Sequence, residues 1–278
     1  MDLSIIIVSW NVREKLKANL SALLSSAGDF DFSIYVVDNN SQDGTAAMVK
    51  SEFPTVNLIA NTENRGFAAA NNQAIKLAKG KFILLLNPDM LVERDTLSKV
   101  LAWAKSNPQA VVSGYRLVAS DGTVVRQVRR FPRFFDQLMI TLKIPHLFPG
   151  VVNDYLCADF NYESAASVDS IRGAFFLINR EAYQKISQSA PPLLDERYFI
   201  WFEEVDFCRQ VHELGGEIWY TPAATCLDYV GQSFKQVGRS ESQRYFRDSM
   251  LAYFSKWGRA WEVLSLKSAW SLVRFFIK

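Results

Sequence analysis

Histidine and cysteine are scarce in this chain of 278 residues, which contains two histidines and three cysteines. Cys157, Cys208 and Cys226 show no CxxC spacing and no cysteine–histidine spacing of the kind found in metal sites. Because an odd and scattered set argues against a disulfide framework and suits a reducing compartment, we expect a cytoplasmic protein. With only His146 and His212 available, neither a zinc site nor imidazole-centred catalysis is expected.

Several common sequence signatures are missing as well. Neither GxGxxG nor GxxxxGKS/T is present, and GxSxG and HExxH are also absent. No stretch reaches the roughly 20 apolar residues that span a bilayer. The apolar start lacks the basic region and cleavage site of a signal peptide, so we interpret it as a buried strand. Carboxylates are therefore expected to carry the chemistry.

The net charge of +2 conceals an uneven distribution. Residues 235–278 contain nine Lys or Arg and three Asp or Glu, a local charge of +6, which leaves −4 for the rest. A basic segment rich in tryptophan and phenylalanine is typical of contact with an anionic surface, either membrane or nucleic acid, although a solvated helix face explains it equally well. The acidic balance elsewhere and the lack of a recognised module argue against nucleic acid.

Hydrophobic patterning predicts an α/β fold in the first half of the chain. Continuous apolar strands that are separated by amphipathic helices indicate a mostly parallel sheet with helices on both faces. The predicted strands are 4–9, 33–37, 56–60 and 81–86, and the predicted helices are 12–26, 45–50 and 68–78.

The second half is less regular. Its patterning predicts a hairpin, a loop with a short helix, one further strand and three helices. In order, these are the hairpin 113–117 with 123–128, the loop and helix within 126–148, the strand 171–179, and the helices 203–214, 245–256 and 260–278.

Polar residues follow three of the predicted strands. Asp38 ends the second strand, Asn61–Phe67 follows the third, and Asn87-Pro88-Asp89 follows the fourth. Because parallel sheets bind ligands at the carboxyl ends of their strands, these positions predict a nucleotide pocket. Asp89 offers the hard oxygen that Mg²⁺ or Mn²⁺ prefers when it bridges a diphosphate. Each segment taken alone is also explained as an ordinary turn or helix cap.

A second acidic group lies among aromatic residues in 194–206. Its acids could form the capped start of a helix, because carboxylates favour the first helical turn. Glu203 and Glu204, however, are flanked by large apolar residues that would desolvate a carboxylate and raise its proton affinity. Such a group can act as the general base for an acceptor hydroxyl.

Taken in order, seven segments of the chain resemble glycosyltransferase family 2, whose members are inverting enzymes of the GT-A fold, and in particular its bacterial rhamnosyltransferase-like members. The resemblance implies a metal-dependent enzyme that moves a rhamnose-like or other hexose from a dTDP- or UDP-linked donor to a saccharide acceptor. It further implies cell-surface polysaccharide synthesis and a polyprenyl-diphosphate-linked acceptor at the inner membrane surface. The segments, within residues 4–257, are SIIIVSWN, VDNNSQDGT, NTENRGFAAANNQAI, GKFILLLNPDM, IRGAFFLINREAY, LLDERYFIWFEEVDFCRQVHELG and RYFRDSMLAYFSKW.

By position, the resemblance also implies roles for individual residues. The catalytic residues are Glu204 and Glu203, and the metal ligands are Asp89 and Asp228. The donor-binding residues are Ser9, Asp38, Asn40, Asn64, Arg65, Asn72, Asn87 and Asp89. The acceptor-binding residues are Arg172, Gly173, Ala174 and Trp201.

Two positions depart from the family pattern. Glu204 replaces the commoner aspartate, which leaves open whether Glu203 or Glu204 is the base. Asp228 stands where the family usually has histidine; it can still bind a hard cation, but it adds negative charge near the diphosphate. A catalytically impaired sugar-nucleotide-binding protein would explain both departures. A nucleotidyltransferase with a similar sheet is a further alternative, and the match at 203–206 speaks against it.

The resemblance and the charge distribution together predict a glycosyltransferase domain, 1–234, and a basic amphipathic helical tail, 235–278. Within the domain, 1–115 forms the nucleotide-sugar half and 116–234 the acceptor half. The last predicted helix carries Trp261, Leu264 and Leu272 at helical spacing among basic residues. It either packs on the domain or lies in a bilayer interface. In the second case we expect it to act together with Arg126, Arg129, Arg130 and Arg133.

Overall fold

A mixed nine-stranded sheet forms the centre of the protein. The structure is a computed structural model that describes residues 1–229 and 238–276, with side chains up to Val273. Its strands are β1 (Leu3–Ser9), β2 (Phe32–Asp38), β3 (Asn57–Ala60), β4 (Phe82–Leu86), β5 (Met90–Val92), β6 (Ala110–Val118), β7 (Val128–Arg129), β8 (Ala166–Ser167), β9 (Ser170–Ile171), β10 (Phe175–Asn179) and β11 (Glu217–Asp228).

Helices flank this sheet and follow it at the end of the chain. They are α1 (Arg13–Leu24), α2 (Thr45–Glu52), α3 (Phe67–Ile75), α4 (Thr96–Ser106), α5 (Phe134–Thr141), α6 (Pro149–Tyr155), α7 (Arg180–Ile186), α8 (Glu203–Glu213), α9 (Arg239–Trp257) and α10 (Ala260–Phe276), with a 3₁₀ turn at Pro145–Leu147. In the described residues, each helix is too short or too polar to cross a membrane.

The order of the strands brings distant segments to one edge of the sheet. Along the sheet the order is β3-β2-β1-β4-β10-β6-β11-β5, with β8 on β11, while β7 and β9 form a separate pair. β1, β2, β3 and β4 run parallel to one another. β10 is antiparallel to β4 and aligns Phe175 with Leu86. β11 is likewise antiparallel to β5 and aligns Asp228 with Met90. The turn before β10 and the end of β11 therefore join the carboxyl ends of β2 and β4.

The sheet buries both of its faces because its central strands are apolar at most positions. Side chains alternate between faces, so Ile5 and Ile7 belong to one hydrophobic cluster and Ile6 to the other. α1, α2 and α4 cover the first face, and α3, α7 and α8 cover the second. The predicted α/β fold class, with helices on both faces, is thereby confirmed.

A third hydrophobic cluster joins the C-terminal helices to the rest of the molecule. Tyr198 and Phe202, which precede α8, pack with Met250 and Tyr253 of α9 and with Leu266 of α10. All five side chains are at most 5% exposed. In the structure, the segment after residue 238 therefore packs on the preceding fold; its division from 1–234 as a separate tail stays a prediction.

Three predicted elements differ from the structure. The hairpin is reduced to a bridge between Val118 and Val124, because Val128 pairs instead with Ile171. The strand predicted over 171–179 is two strands, β9 and β10, which are separated by a turn at 172–174. The helix predicted over 260–278 is observed to Phe276, and its last two residues lie outside the described part of the chain, as do residues 230–233 of the segment CLDYVGQS.

Candidate active site

A cavity of about 410 Å³ opens at the carboxyl edge of the sheet, where the sequence predicts a nucleotide pocket. The ends of β1, β2 and β4 contribute to its lining, together with the loop before α3, the turn before β10, the segment before α8 and the start of α9. The lining residues are Val8, Trp10, Asn39, Asn64, Gly66, Phe67, Asn87, Pro88, Asp89, Arg172, Phe199, Ile200, Glu241 and Tyr245.

Asp38 and Ser9 lie opposite each other at the ends of adjacent parallel strands. Both are at least 98% buried. Asp38 Oδ2 accepts a hydrogen bond from the Ser41 amide at 3.2 Å. Asp38 Oδ1 and the Ser9 hydroxyl have no hydrogen-bond partner among the described residues. Because buried polar atoms are nearly always paired, these two are suited to a polar ligand such as a nucleobase.

The loop before α3 is held by the side chain of Asn39. Asn39 Nδ2 donates to the Gly66 carbonyl at 3.0 Å, and its Oδ1 accepts from Asn61 Nδ2 at 2.9 Å. Asn64 Oδ1 accepts from the Gly66 amide at 3.0 Å. Gly66 has φ +79°, and a Cβ there would lie 2.8 Å from Cδ2 of Phe199, so both backbone angle and space require glycine. This network places Asn64 on the cavity wall.

Of the fifteen predicted site residues, four line the cavity, namely Asn64, Asn87, Asp89 and Arg172. Among the other eleven, four have their contacts away from it. Arg65 is exposed, and Asn40 accepts a hydrogen bond from Gln42 at the surface. The Asn72 carboxamide is engaged with the backbone of Leu194 at 2.8 and 2.9 Å, so it positions the segment that leads to α8. Trp201 packs near Phe246, with 6.1 Å between the rings. Roles in substrate binding for these four stay predictions.

Two acidic residues, Asp89 and Asp228, lie at this edge of the sheet. Asp89 lines the cavity, and Asp228 lies on the neighbouring strand, opposite Met90. Both are at least 95% buried, and Arg172 Nη1 lies 3.3 Å from Asp228 Oδ2. Among the described residues no group of three or more metal-ligating side chains occurs. Two carboxylates nevertheless fit Mg²⁺ or Mn²⁺, because such ions take their remaining ligands from water and substrate phosphates.

Glu203 and Glu204 begin α8 directly after two residues with unusual backbone angles. Trp201 and Phe202 have φ +66° and +69°, a region that bulky side chains rarely adopt and that costs about 1–3 kcal/mol per residue. The resulting bend places Glu204 against the turn before β10. A Cβ on Gly173 would lie 3.5 Å from the Glu204 Cβ and 3.7 Å from its Cγ. These are ordinary van der Waals distances, so the turn and the start of α8 are direct neighbours.

The two glutamates differ in their electrostatic surroundings. Burial raises the pKa of Glu203 well above its usual value, and the charge of Glu204 raises it further. Burial also raises the pKa of Glu204, but backbone amides and the Arg172 guanidinium oppose this effect. The two carboxyl groups titrate as a pair, and the Arg172 guanidinium favours the state in which Glu204 is the ionised member. One oxygen of each carboxyl group, Oε2, has no hydrogen-bond partner in the described part of the chain.

The lining also includes residues that sequence reasoning missed. Trp10, Phe199, Glu241 and Tyr245 carry no predicted role, although all four line the cavity. Trp10, Phe199 and Tyr245 fall inside quoted family segments. The first two follow β1 and precede α8 directly, which was an available signal. Glu241 lies outside those segments. Its place in the site depends on α9 folding back over the sheet edge, a long-range contact that no local pattern indicates.

Comparison with known proteins gives a consistent family. The family described as Glycosyl transferase family 2 matches residues 4–156, over half of the chain. An uncharacterized glycosyltransferase, YfnE of Bacillus subtilis, is 34% identical over 41% of this chain and 30% of its own length. The N-acetylglucosaminyl-diphospho-decaprenol L-rhamnosyltransferase of Mycobacterium tuberculosis is 25% identical over 76% of this chain and 71% of its own.

Solved structures share the fold. The mannosyltransferase PcManGT from Pyrobaculum calidifontis, in complex with GDP-Man and Mn²⁺, superposes with a TM-score of 0.60 and 17% identity. The superposition covers 96% of this chain and 73% of that chain. At this level of identity the likeness concerns the fold alone, and it agrees with the GT-A architecture that the sequence resemblance implies.

Proposed function

The chain belongs to glycosyl transferase family 2, and on that premise we propose that it is an inverting hexosyltransferase of polysaccharide synthesis. Its donor is a dTDP- or UDP-linked sugar, with L-rhamnose as the leading candidate. Its acceptor is a hydroxyl of a saccharide that is linked to a polyprenyl diphosphate. The donor sugar and acceptor are suggested by the name of the mycobacterial relative, which is a rhamnosyltransferase acting on a decaprenol-linked saccharide.

The observation that carries this proposal is the position of the ionisable Glu204 next to a cavity that Asp89 lines. An inverting transfer needs a base for the acceptor hydroxyl and positive charge near the departing diphosphate. Glu204 packs against Gly173, next to the cavity-lining Arg172, and has one carboxylate oxygen without a partner among the described residues. A protein that only binds nucleotide sugars would leave this half-buried glutamate without a role.

The proposed mechanism is a single displacement. Asp38 and Ser9 hold the base of the donor, and Asn64 lines the adjoining pocket. Asp89 and Asp228 would hold Mg²⁺ or Mn²⁺, which when bound offsets the charge of the diphosphate. Glu204 accepts the proton of the acceptor hydroxyl, and the oxygen forms its bond to the anomeric carbon as the bond to the diphosphate breaks. The anomeric configuration is thereby inverted.

The decisive experiment is Glu204→Gln, which keeps the shape of the side chain and removes its basicity. We expect transfer to fall by about 10²- to 10⁴-fold, while calorimetry shows donor binding that is close to wild type. Glu181→Gln, on the exposed surface of α7, is the matched control and should leave both measurements unchanged. Wild-type turnover by Glu204→Gln would refute the assignment of Glu204.

Membrane contact is a further part of the proposal and concerns the outer face of α10. Its inner residue Leu266 is fully buried, whereas Trp261, Leu264 and Leu272 are 48–64% exposed. Lys267 is exposed beside them, within a segment whose local charge is +6. An exposed apolar stripe flanked by basic residues suits the interface of an anionic bilayer. We propose that this face holds the enzyme near its lipid-linked acceptor.

A further inference from the structure

One part of the cavity lining comes from neither the donor-side strands nor their loops. Phe199 and Ile200 belong to the segment before α8, and Glu241 and Tyr245 belong to the first two turns of α9. We call Phe199, Glu241 and Tyr245 the α9 wall. The acceptor-binding residues that the sequence predicts do not include any of these three, and the predicted aromatic residue, Trp201, does not line the cavity.

Phe199 is fixed on both sides. Its carbonyl accepts a hydrogen bond from the Phe67 amide at 2.7 Å, and its ring lies against Gly66, where no side chain could fit. The Tyr245 ring stacks on Phe199 with 4.6 Å between ring centroids and an interplanar angle of 23°. The aromatic surface of the α9 wall is therefore anchored to the donor loop rather than free to move with α9 alone.

Glu241 is oriented by its neighbours on α9. Its Oε1 accepts hydrogen bonds from the Tyr245 hydroxyl at 2.8 Å and from Arg244 Nη2 at 3.2 Å. No donor in the described residues reaches its Oε2. Burial and the contact with Glu241 raise the pKa of Tyr245, so the tyrosine hydroxyl keeps its proton and continues to donate. The wall thus presents one oriented carboxylate oxygen next to two stacked rings.

We infer that the α9 wall is the subsite for the terminal sugar of the acceptor, an inference that rests on the proposed glycosyltransferase function. Both rings line the cavity, and the C–H groups of a pyranose suit the apolar surface that the rings present there. The hydroxyl donors of the sugar suit the carboxylate of Glu241. Because Arg244 Nη2 lies 3.2 Å from Glu241 Oε1 and offsets its charge, it is this pairing of hydroxyl donors with an acceptor that favours a sugar.

The test measures saccharide binding separately from nucleotide binding. Saturation-transfer NMR uses three probes in the presence of UDP and Mn²⁺: methyl α-L-rhamnopyranoside, methyl β-D-glucopyranoside and methyl N-acetyl-β-D-glucosaminide. We expect wild-type protein to bind at least one of them. Glu241→Gln should weaken that binding roughly tenfold, because it replaces hydrogen bonds to a charged group by neutral ones. Tyr245→Ala should abolish it, and Tyr245→Phe should give an intermediate loss because Glu241 loses its hydroxyl partner.

Nucleotide binding and a control variant distinguish failure of this inference from failure of the proposed function. Calorimetry with UDP and dTDP should give the same affinity for wild type, Glu241→Gln and Tyr245→Ala, and Glu181→Gln should match wild type in every measurement. Saccharide binding that is unchanged in Glu241→Gln and Tyr245→Ala would overturn the inference, as would a wild-type protein that binds none of the three probes. Failure of the proposed function appears differently, as a wild-type protein that binds no nucleotide.

Discussion

Glu203 and Glu204 are chemically identical neighbours, yet the charges and amides around their carboxyl groups differ. Glu203 is 5% exposed, and both burial and the adjacent carboxylate raise its pKa. Glu204 is stabilised in its ionised form by backbone amides and by Arg172. The sequence left open which of the two is the base. The difference in environment favours Glu204, since a base must be ionised when the acceptor binds.

This assignment predicts the pH dependence of transfer. Only ionised Glu204 accepts a proton, so kcat/KM should rise with pH through its pKa, which burial sets above that of an ordinary glutamate. Glu203→Gln replaces a protonated acid by a neutral group of similar shape, so the acid limb of the profile should stay where it is. The measurement is kcat/KM from pH 4 to 9 for both proteins. An acid limb that disappears in Glu203→Gln would assign the base to Glu203 instead.

Among the elements, α9 is attached by the third hydrophobic cluster and, at its last turn, by a buried carboxylate. Asp206 of α8 is fully buried and accepts hydrogen bonds from two residues at the end of α9. Lys256 Nζ lies 2.7 Å from its Oδ2, and Trp257 Nε1 lies 2.6 Å from its Oδ1. Tyr198 and Gln210 use the same two oxygens. The carboxylate therefore joins α8, the segment before it and the last turn of α9.

Removing the charge of Asp206 is expected to be costly. Asp206→Asn removes one of the two carboxylates that pair with Lys256 and leaves it Asp195, whose Oδ2 lies 3.1 Å from Nζ. Because Asp195 remains, we expect a cost of about 2–3 kcal/mol, at or below the roughly 3–5 kcal/mol that breaking a buried ion pair typically costs. The exposed pair of Arg247 and Asp248 provides the control, because Asp248→Asn should cost about 1 kcal/mol or less. Urea unfolding measures both. Equal midpoints for the two variants would contradict the role given to Asp206.

The sequence predicted best the elements whose patterns are local. β4 is an uninterrupted apolar run and β1 and β2 are mostly apolar, and α8 starts at the glutamate where its helix was predicted. α4 was not predicted, although Leu97, Val100, Leu101 and Ala104 have the spacing of a buried helix face. β11 was missed because Pro222 and alternating polar residues interrupt its apolar pattern. The apolar spacing of α4 was therefore present in the sequence, whereas the pattern of β11 was weak.

For the site, the sequence could not predict which residues from distant parts of the chain lie close together. Asp38, Asn64, Asn87 and Asp89 are all close to strand ends, and the structure gathers the last three around one cavity. Asn72 shares a segment with them but points to Leu194, since its place on α3 faces the chain that returns 122 residues later. The α9 wall could not be found from local patterns, because its position is fixed by contacts such as Asp206 with Lys256.

At the scale of the whole molecule, the outer face of α10 predicts membrane binding. Replacing Trp261, Leu264 and Leu272 together by serine removes the exposed apolar stripe without touching the buried Leu266 or Val273. We expect the bound fraction to fall several-fold in sedimentation with phosphatidylcholine vesicles containing phosphatidylglycerol, because partition scales with apolar area and with attraction to anionic lipid. Raising the salt concentration should weaken wild-type binding.

The control for membrane binding replaces three exposed leucines in other parts of the molecule. Leu24, Leu77 and Leu214 are 45–54% exposed on other helices or loops, and their joint replacement by serine should leave vesicle binding unchanged. If both triple variants sediment like wild type, the outer face of α10 does not contact the bilayer. If both lose binding equally, exposed apolar area in general is responsible and α10 has no particular role.

The clamped ring of Phe199 has a kinetic consequence. Gly66 of the donor loop touches it on one side, and Tyr245 of the α9 wall stacks on the other. The Asn39 network that holds this loop thereby also holds the surface on which the acceptor sugar rests. Substrate addition should then need no fixed order, because neither substrate has to form the site of the other.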